Sequence, residues 1–258
     1  MNATGSRVAA LAVGLPFVVA AAVGGAFTMV GTFAHASERH VASYQWNGGA
    51  ITLRTSGDVT VEVGTGTQIG VSYTEHYQLK KPTVTSSTSN GDLQLTATCP
   101  GGPFGGNCEI NYVLTVPATA ALNLHTGDGD IHVSGTSGAA SLDTGDGHIE
   151  FDNVTGNVVA RSGDGAISGT AVRSKNVHAS TGDGGINIDW SVAPATVVVS
   201  SGDGGIHLVL PPGSGPYRTS THAGNGSVHV TSPIDSTAAA SITATTGDGG
   251  ISIGYPNP

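Results

Sequence analysis

Six aspartates in the second half of the sequence each lie between two glycines, and they are candidates for metal binding or acid–base chemistry. They are Asp128, Asp146, Asp164, Asp183, Asp203 and Asp248, and Asn225 takes the same place in a further copy. If the copies stack, the carboxylates line up a few ångströms apart and repel one another unless water or a cation screens them. Calcium binds carboxylate and backbone oxygens, so a calcium ladder is one interpretation. A row of solvated turn aspartates is the other.

The order of residues around each aspartate favours the solvated row. In calcium-binding β-helix repeats the aspartate follows the glycines, whereas here it lies between them. Asn225 keeps the local hydrogen-bonding capacity of aspartate without its charge. We therefore expect a structural corner, in which the glycines supply positive φ and the aspartate bonds its own backbone two residues on. No resident cofactor is expected, and calcium remains the alternative.

Paired acids raise the possibility of polysaccharide hydrolysis. The pairs are Asp128 with Asp130, Asp143 with Asp146, and Glu150 with Asp152. Glycosidases use two carboxylates about 5–10 Å apart. Aromatic platforms for sugar rings are scarce, however, since Trp46 and Trp190 are the only tryptophans. We expect a protein without enzymatic activity and without catalytic, cofactor-binding or metal-binding residues, and a polysaccharide-active β-helix enzyme stays as the enzyme alternative.

Histidines offer a second candidate metal site. His132, His207 and His229 share one position of the repeat, and the last two belong to consecutive copies, so they could form a zinc pair. Outward polar strand residues are the simpler interpretation. The Gly-x-Gly pairs lie at predicted corners with no helix after them, which argues against nucleotide binding. A net charge of −9 argues against nucleic acid as a partner, because nucleic-acid binding needs a basic face.

The spacing of these motifs indicates the elements that hold them. The seven copies follow one another at steps of 18 to 23 residues, which is typical of stacked repeats. Apolar residues alternate with polar ones before each corner, as in Leu122 and Leu124, and after it, as in Ile131 and Val133. Each repeat is therefore a strand, a tight corner and a second strand with one apolar face. We predict an all-β fold, a parallel β-solenoid-like stack of about seven repeats that buries this face as a continuous column.

The ends of the chain suggest three segments. Residues 1–36 are predicted to be an N-terminal membrane anchor or signal segment, because residues 8–30 carry no charge and are long enough to span a bilayer. Ala34, His35 and Ala36 also offer a signal cleavage site, so a cleaved signal stays open beside the favoured uncleaved anchor. Residues 37–118 form an irregular β capping section, and residues 119–258 form the solenoid repeats of the same continuous domain. Residues 37–48 are interpreted as a linker with one short strand.

The two cysteines agree with an exported protein. Cys99 and Cys108 bracket a glycine-rich loop that lets them meet, and a disulfide between them suits an oxidising compartment. We expect a single-pass protein of the cell membrane whose C-terminal region is extracytoplasmic.

The strand that ends at Pro117, followed by serial Thr/Ser-Gly-Asp-Gly-x-Ile units behind an apolar N-terminal segment, resembles a family of bacterial putative-adhesin domains of unknown function. The resemblance implies a β-solenoid-like fold and an extracytoplasmic location, and it supplies no catalytic residues. We expect an adhesin-like interaction with an envelope or extracellular protein or glycan, made through the strand faces and the loops at 189–196 and 211–218. The alternative is an extracytoplasmic sensor or scaffold domain that binds a membrane partner.

Overall fold

The computed structural model describes residues 36–101 and 107–256, and the predicted membrane segment at residues 8–30 lies outside this part of the chain. The described residues form strands and no helix, and none of them belongs to a helix that could cross a membrane. The all-β class predicted from the sequence is confirmed.

The N-terminal strands of the described chain are β1 (Ala36–Gln45), β2 (Ile51–Thr55), β3 (Val59–Val63), β4 (Gln68–Tyr77), β5 (Thr83–Ser89), β6 (Asp92–Thr98) and β7 (Cys108–Val116). The strands of the repeats follow as β8 (Leu122–Thr126), β9 (Ile131–Ser134), β10 (Ala140–Thr144), β11 (Ile149–Asp152), β12 (Val158–Ser162), β13 (Ile167–Val172), β14 (Asn176–Thr181), β15 (Ile186–Trp190), β16 (Thr196–Ser201), β17 (Ile206–Val209), β18 (Arg218–Ala223), β19 (Val228–Val230), β20 (Ser241–Thr246) and β21 (Ile251–Gly254).

These strands form two sheets that face each other across the core. Sheet I has the order β1-β4-β7-β3-β9-β11-β13-β15-β17-β21-β19, and sheet II has the order β18-β20-β16-β14-β12-β10-β8-β2-β6-β5. Each coil contributes one strand to sheet II, turns at the corner, and contributes the next strand to sheet I. Within the described residues there are nine such coils, because β2 with β3 and β6 with β7 add two to the seven predicted.

Matching residues of successive coils lie in register, as the repeat pattern predicts. Ile149 pairs with Ile131 on one side and with Ile167 on the other. The inward side chains form one continuous core cluster, in which these isoleucines are at most 1% exposed. Where the pattern breaks at Gly169, a side chain there would meet the ring of Phe151 at 2.5 Å, so one large residue fills the space that its neighbour leaves.

The coils do not stack in chain order at the C-terminal end. Strand β20 pairs with both β16 and β18, and β21 pairs with both β17 and β19. The seventh motif copy therefore lies between the fifth and the sixth, and the predicted serial order is wrong here. The sixth copy turns Thr219 and Thr221 inward, and its Val228 is 45% exposed. Such a polar coil suits the end of a stack, where it acts as a cap, better than the middle of an apolar column.

Antiparallel strands close the N-terminal end of the stack. Strand β5 pairs with β6, and β4 pairs with both β7 and β1. All ten residues of β1 pair with β4, so the linker predicted at residues 37–48 is wrong for its first part. The sequence of Ala36–Gln45 is polar enough to resemble a linker. Its strand conformation becomes evident only from its pairing with β4.

Two further predictions concern loops. Cys99 and Cys108 are disulfide-bonded, which confirms the pairing predicted from the sequence. The loops at 189–196 and 211–218 do not offer their aromatic residues to a partner, because Trp190 is 2% exposed and Tyr217 is 1% exposed. Both rings belong to the core cluster.

Candidate binding groove on sheet I

The hydroxyl groups of the corner motif, and not its aspartates, hold successive coils together. Ser162 donates a hydrogen bond to the Gly147 carbonyl at 2.8 Å and accepts one from the Gly165 N–H at 3.0 Å. Thr246 does the same with the Gly204 carbonyl and the Gly249 N–H, at 2.8 and 3.2 Å. Each hydroxyl is buried and bridges two coils. The Asx turns predicted for the aspartates are not among the hydrogen bonds of the described residues.

The motif glycines have a different role from the one predicted. The glycines with positive φ in the described chain are Gly48, Gly66, Gly91, Gly135, Gly213 and Gly215, and none of them belongs to a Gly-Asp-Gly corner. A Cβ on Gly147 would instead overlap with the Gly129 carbonyl of the neighbouring coil. The prediction of positive φ is therefore wrong. Glycine is required because two backbones approach each other more closely than a side chain permits.

The corner aspartates are exposed, and they do not converge on a cation. Among the described residues, the one group of three His, Cys, Asp or Glu side chains whose ligand atoms lie within 4.8 Å of one another is Glu38, His40 and Glu75, which is remote from the corners. At the end of the row Asn225 donates its amide to Asp248 at 2.5 Å. The exposure of the corner aspartates agrees with the row of solvated aspartates, and the calcium ladder stays the alternative.

At the residue just before the register position of Ile131 in each coil, a row of side chains caps backbone N–H groups. The side-chain oxygen Oδ1 of Asn111 accepts a hydrogen bond from the Asp58 N–H at 2.7 Å. A carboxylate oxygen of Asp58 accepts one from the Asp130 N–H at 2.9 Å. Asp130 in turn accepts from the His148 N–H at 2.7 Å, and His148 Nδ1 accepts from the Ala166 N–H at 2.9 Å. Each side chain thus satisfies the donor that the next coil exposes. We call this row the capping ladder.

The capping ladder stops at Ala166, and a groove begins there. The next coils carry Gly185, Gly205, Gly250 and Ser227 at this position. Within the described chain, the backbone N–H groups of these four residues donate no hydrogen bond to protein. By the register, each N–H faces the space that a side chain of the preceding coil would fill. The result is a groove of about 690 Å³ with a row of free backbone donors in its floor.

A row of outward polar side chains lines one side of the groove. Its members, in spatial order, are Ser168, Asn187, His207, Ser252 and His229. Ser252 pairs with both His207 and His229, so two strand spacings, roughly 10 Å, separate the two histidines. The zinc pair considered from the sequence is therefore wrong, because the exchanged order of the last coils separates copies that are consecutive in the chain.

The acids considered for catalysis do not meet in one site. Asp143 lies on the outer face of sheet II, where it contacts His125 Nδ1 at 2.6 Å. Glu150 lies on the outer face of sheet I, where its carboxylate is 3.2 Å from His132 Nδ1. The core of the stack therefore separates the Asp143–His125 contact from the Glu150–His132 contact. Asp130 is engaged in the capping ladder, and Asp152 accepts a hydrogen bond from Thr170 at 2.7 Å.

Sequence reasoning missed one cluster of charged residues. Glu38 and His40 on β1 meet Glu75 on β4 and Lys81 after it; Glu38 lies directly opposite Glu75. The Lys81 ammonium is 2.5 Å from Glu38 and 3.3 Å from Glu75. Hydrogen bonds from Lys81 and then Tyr77 hold the pKa of Glu38 below its usual value, and the bond to Glu38 raises the pKa of Lys81. The sequence signal that could have indicated this cluster is Glu75, a glutamate at an inward position of β4 between Tyr73 and Tyr77.

Comparison with known proteins gives a family. The sequence matches the family model described as Toastrack DUF4097 over residues 50–254, which is most of the chain. Among curated proteins, none matches it. A solved putative cell adhesion protein from Clostridium sporogenes is 15% identical, with 86% of this chain and 100% of that chain covered and a TM-score of 0.39. A solved putative adhesin from Bacteroides fragilis is 14% identical, with 83% and 96% covered and a TM-score of 0.47. On the match to the family model, the chain belongs to the Toastrack DUF4097 family.

Proposed function

We propose that this protein is an exported, non-enzymatic, adhesin-like protein of the cell surface, held in the membrane by its N-terminal segment, and that it binds an extended glycan in the groove on sheet I. One observation carries the proposal, namely the row of backbone N–H groups at Gly185, Gly205, Gly250 and Ser227 that have no protein acceptor. The Cys99–Cys108 disulfide supports export, because such bonds persist in oxidising compartments.

The groove has the dimensions of a site for a polymer. It runs over five coils from Ala166 to Ser227, and neighbouring coils lie about 4.8 Å apart, so it is roughly 19 Å long. Donors repeat along it at the spacing of the coils, and Asn187 and His207 add side-chain donors and acceptors on one side. A ligand with regularly repeated acceptor oxygens fits this pattern. Glycans that carry acetamido carbonyls or carboxylates have such oxygens.

The capping ladder suggests how to close the groove without harming the fold. A Cβ on Gly205 would meet its nearest neighbour, the Gly250 carbonyl, at 3.5 Å, which is ordinary contact. An asparagine there can accept the Gly250 N–H, as Asp58 accepts that of Asp130. Gly205→Asn should therefore keep or raise the melting temperature and abolish glycan binding. Ser220→Asn, on the exposed outer face of sheet II, is the matched control and should bind normally.

The experiment compares binding of the full-length protein to an insoluble N-acetylglucosamine polymer and to the same polymer after deacetylation. Retention on the acetylated form, with loss in Gly205→Asn but not in Ser220→Asn, supports the proposal. Equal or stronger retention on the deacetylated, cationic form would instead assign binding to the negative charge of the protein. Equal binding by both variants would place the ligand outside the groove.

A second candidate function rests on a separate observation. Strands β18 and β19 are the last strands of their sheets, and within the described chain nothing pairs with their outer edges. Exposed strand edges accept strands from other chains. A sensor or scaffold domain that binds a membrane partner through this end is therefore the alternative. Val228→Lys, at the exposed edge, should abolish co-purification of such a partner and leave glycan binding unchanged.

A further inference from the structure

Glu38 and Glu75 are two carboxylates directly opposite each other on neighbouring strands. Like charges in this position destabilise a sheet unless a cation lies between them. The side chain of Glu75 is only 3% exposed, and on its other side it pairs with Ile110, which is fully buried. A buried carboxylate in such surroundings needs a compensating charge. This pair therefore marks a place where a cation belongs.

In the described chain, the cation that lies against both glutamates is the ammonium group of Lys81. Lys81 is 49% exposed, and its ammonium lies 3.3 Å from Glu75 Oε2 and closer to Glu38 Oε2, so a half-exposed cation is the counter-ion of the buried carboxylate. Glu75 Oε2 and His40 Nε2 are both buried atoms that make no hydrogen bond within the described residues. An almost fully buried carboxylate that has an ion pair but no hydrogen bond, 3.7 Å from a buried imidazole nitrogen that also has none, calls for an explanation, and a bound ion supplies one.

We propose that Glu38, His40 and Glu75 form a binding site for a divalent transition metal ion, with zinc as the best match, and that Lys81 occupies the position of the ion when the metal is absent. His40 Nε2 is 3.7 Å from Glu38 Oε2 and 3.7 Å from Glu75 Oε2. Zinc bonds of about 2.0–2.1 Å in a tetrahedron place ligand atoms about 3.4 Å apart. The two distances from the imidazole nitrogen are therefore a few tenths of an ångström longer than a zinc site needs, and all three ligand atoms lie within 4.8 Å of one another.

Neighbouring residues already orient two of the ligands. Tyr77 donates a hydrogen bond to Glu38 Oε1 at 2.9 Å, which leaves Oε2 directed at the other two ligands. The His40 ring stacks on Tyr73 with ring centroids 4.8 Å apart, and Tyr73 stacks on Tyr112 at 5.2 Å. Replacing residues that orient metal ligands in this way commonly lowers the affinity for the metal or the activity by about 10–100-fold.

The donor set selects the class of metal. Calcium takes six to eight oxygen ligands, and magnesium demands an octahedron of oxygens, so one imidazole and two carboxylates suit neither. Zinc accepts histidine and carboxylate together and leaves a fourth position for water or a ligand. Because Glu38 and His40 lie on β1 while Glu75 lies on β4, the ion would cross-link the first described strand to the rest of sheet I.

The test uses the full-length protein, freed of metal with a chelator, titrated with zinc chloride and followed by calorimetry and thermal unfolding. We expect one zinc per chain and a higher melting temperature. Glu75→Gln and His40→Gln should each weaken zinc binding at least tenfold. Lys81→Met should strengthen it, because the competing ammonium is gone. His125→Gln, which removes the exposed partner of Asp143 on sheet II, should change nothing.

Three results would overturn the inference. The first is the absence of stoichiometric zinc binding. The second is zinc binding that survives both Glu75→Gln and His40→Gln, or that His125→Gln reduces equally. The third is unchanged or weaker binding in Lys81→Met, which would mean that the ammonium is part of a permanent ion pair and does not hold the place of a metal.

Discussion

Gly165 lies against the carbonyl group of Gly147 in the neighbouring coil, so closely that a Cβ on Gly165 would overlap with the carbonyl oxygen. The same relationship links Gly147 to Gly129 and Gly204 to Gly184. Beside these contacts, the first glycine of each motif continues the backbone ladder through the corner, as where Gly163 N–H donates to the Gly145 carbonyl at 2.5 Å. Successive coils therefore pack backbone against backbone at the corner.

This contact predicts different outcomes for two similar substitutions. Gly165→Ala forces a displacement of the coils and should destabilise the protein by about 1–3 kcal/mol, as overpacking does elsewhere. Gly127→Ala is the control, since its Cβ would meet nothing nearer than Ser56 Cα at 3.9 Å. Urea denaturation of both variants measures the difference. Equal stability of the two would show that the corners can separate without cost.

Thr245 and Thr246 are neighbours on β20 that face opposite sides of sheet II. Thr246 bridges the Gly204 carbonyl and the Gly249 N–H and is 1% exposed. Thr246→Val keeps the shape but leaves both backbone groups without a partner, which should cost about 1–3 kcal/mol. Thr245→Val, on the exposed face, should stay within about 0.5 kcal/mol of the parent. A similar loss in both variants would mean that β propensity and not the bridging hydroxyl is being measured.

The parallel stack and its inner column could be predicted from the sequence because both depend on local patterns. Alternation around Ile131, Ile149 and Ile167 determines which face is buried, and a fixed repeat length then brings these residues into register. The exchanged order of the last two copies could not be read in this way. The order depends on which coil can form the end of the stack, where one face of the coil has no neighbour. The inward Thr219 and Thr221 identify this coil only when all the coils are compared.

The candidate sites were less accessible to sequence reasoning. The groove arises from side chains that are missing at Gly185, Gly205 and Gly250, and their meaning appears only when Asp58 and Asp130 are seen to cap the equivalent N–H groups. The Glu38 cluster depends on the pairing of β1 with β4 and has no sequence motif. Non-local strand pairing of this kind is not encoded in the period of any single segment.

The disulfide offers a prediction about the N-terminal cap. Cys99 follows β6 of sheet II and Cys108 begins β7 of sheet I, nine residues later in the sequence. Replacing both with alanine frees a short loop in the unfolded chain and should lower the free energy of unfolding by about 2–3 kcal/mol. Denaturation with and without a reductant checks this, since reduction should reproduce the loss in the parent and leave the double variant unchanged. A parent that is insensitive to complete reduction would contradict it.

The pKa shifts of Glu38 and Lys81 predict how their interaction depends on pH. Glu38 has a pKa below its usual value of 4.5 because Lys81 and Tyr77 donate hydrogen bonds to it, so its contribution to stability is present above that value and is lost as pH falls through the lower folded pKa. Lys81 has a pKa above its usual 10.5, so its contribution is present below that value and is lost as pH rises through the folded pKa.

Lys81→Met should therefore destabilise the metal-free protein between about pH 5 and pH 10, and the difference from the parent should shrink as pH falls below 4. Glu75 also faces the ammonium, and His40 lies 3.7 Å from Glu75 on another side, so the loss at neutral pH includes the buried Glu75 carboxylate left without the ammonium as counter-ion. Lys80→Met makes the same change of charge one residue earlier and should have a smaller effect, which added salt reduces further. Urea midpoints at pH 7 and pH 3.5 measure both differences. A Lys81→Met effect of the same size at the two pH values would mean that the lost methylene packing, and not the ion pair, accounts for it.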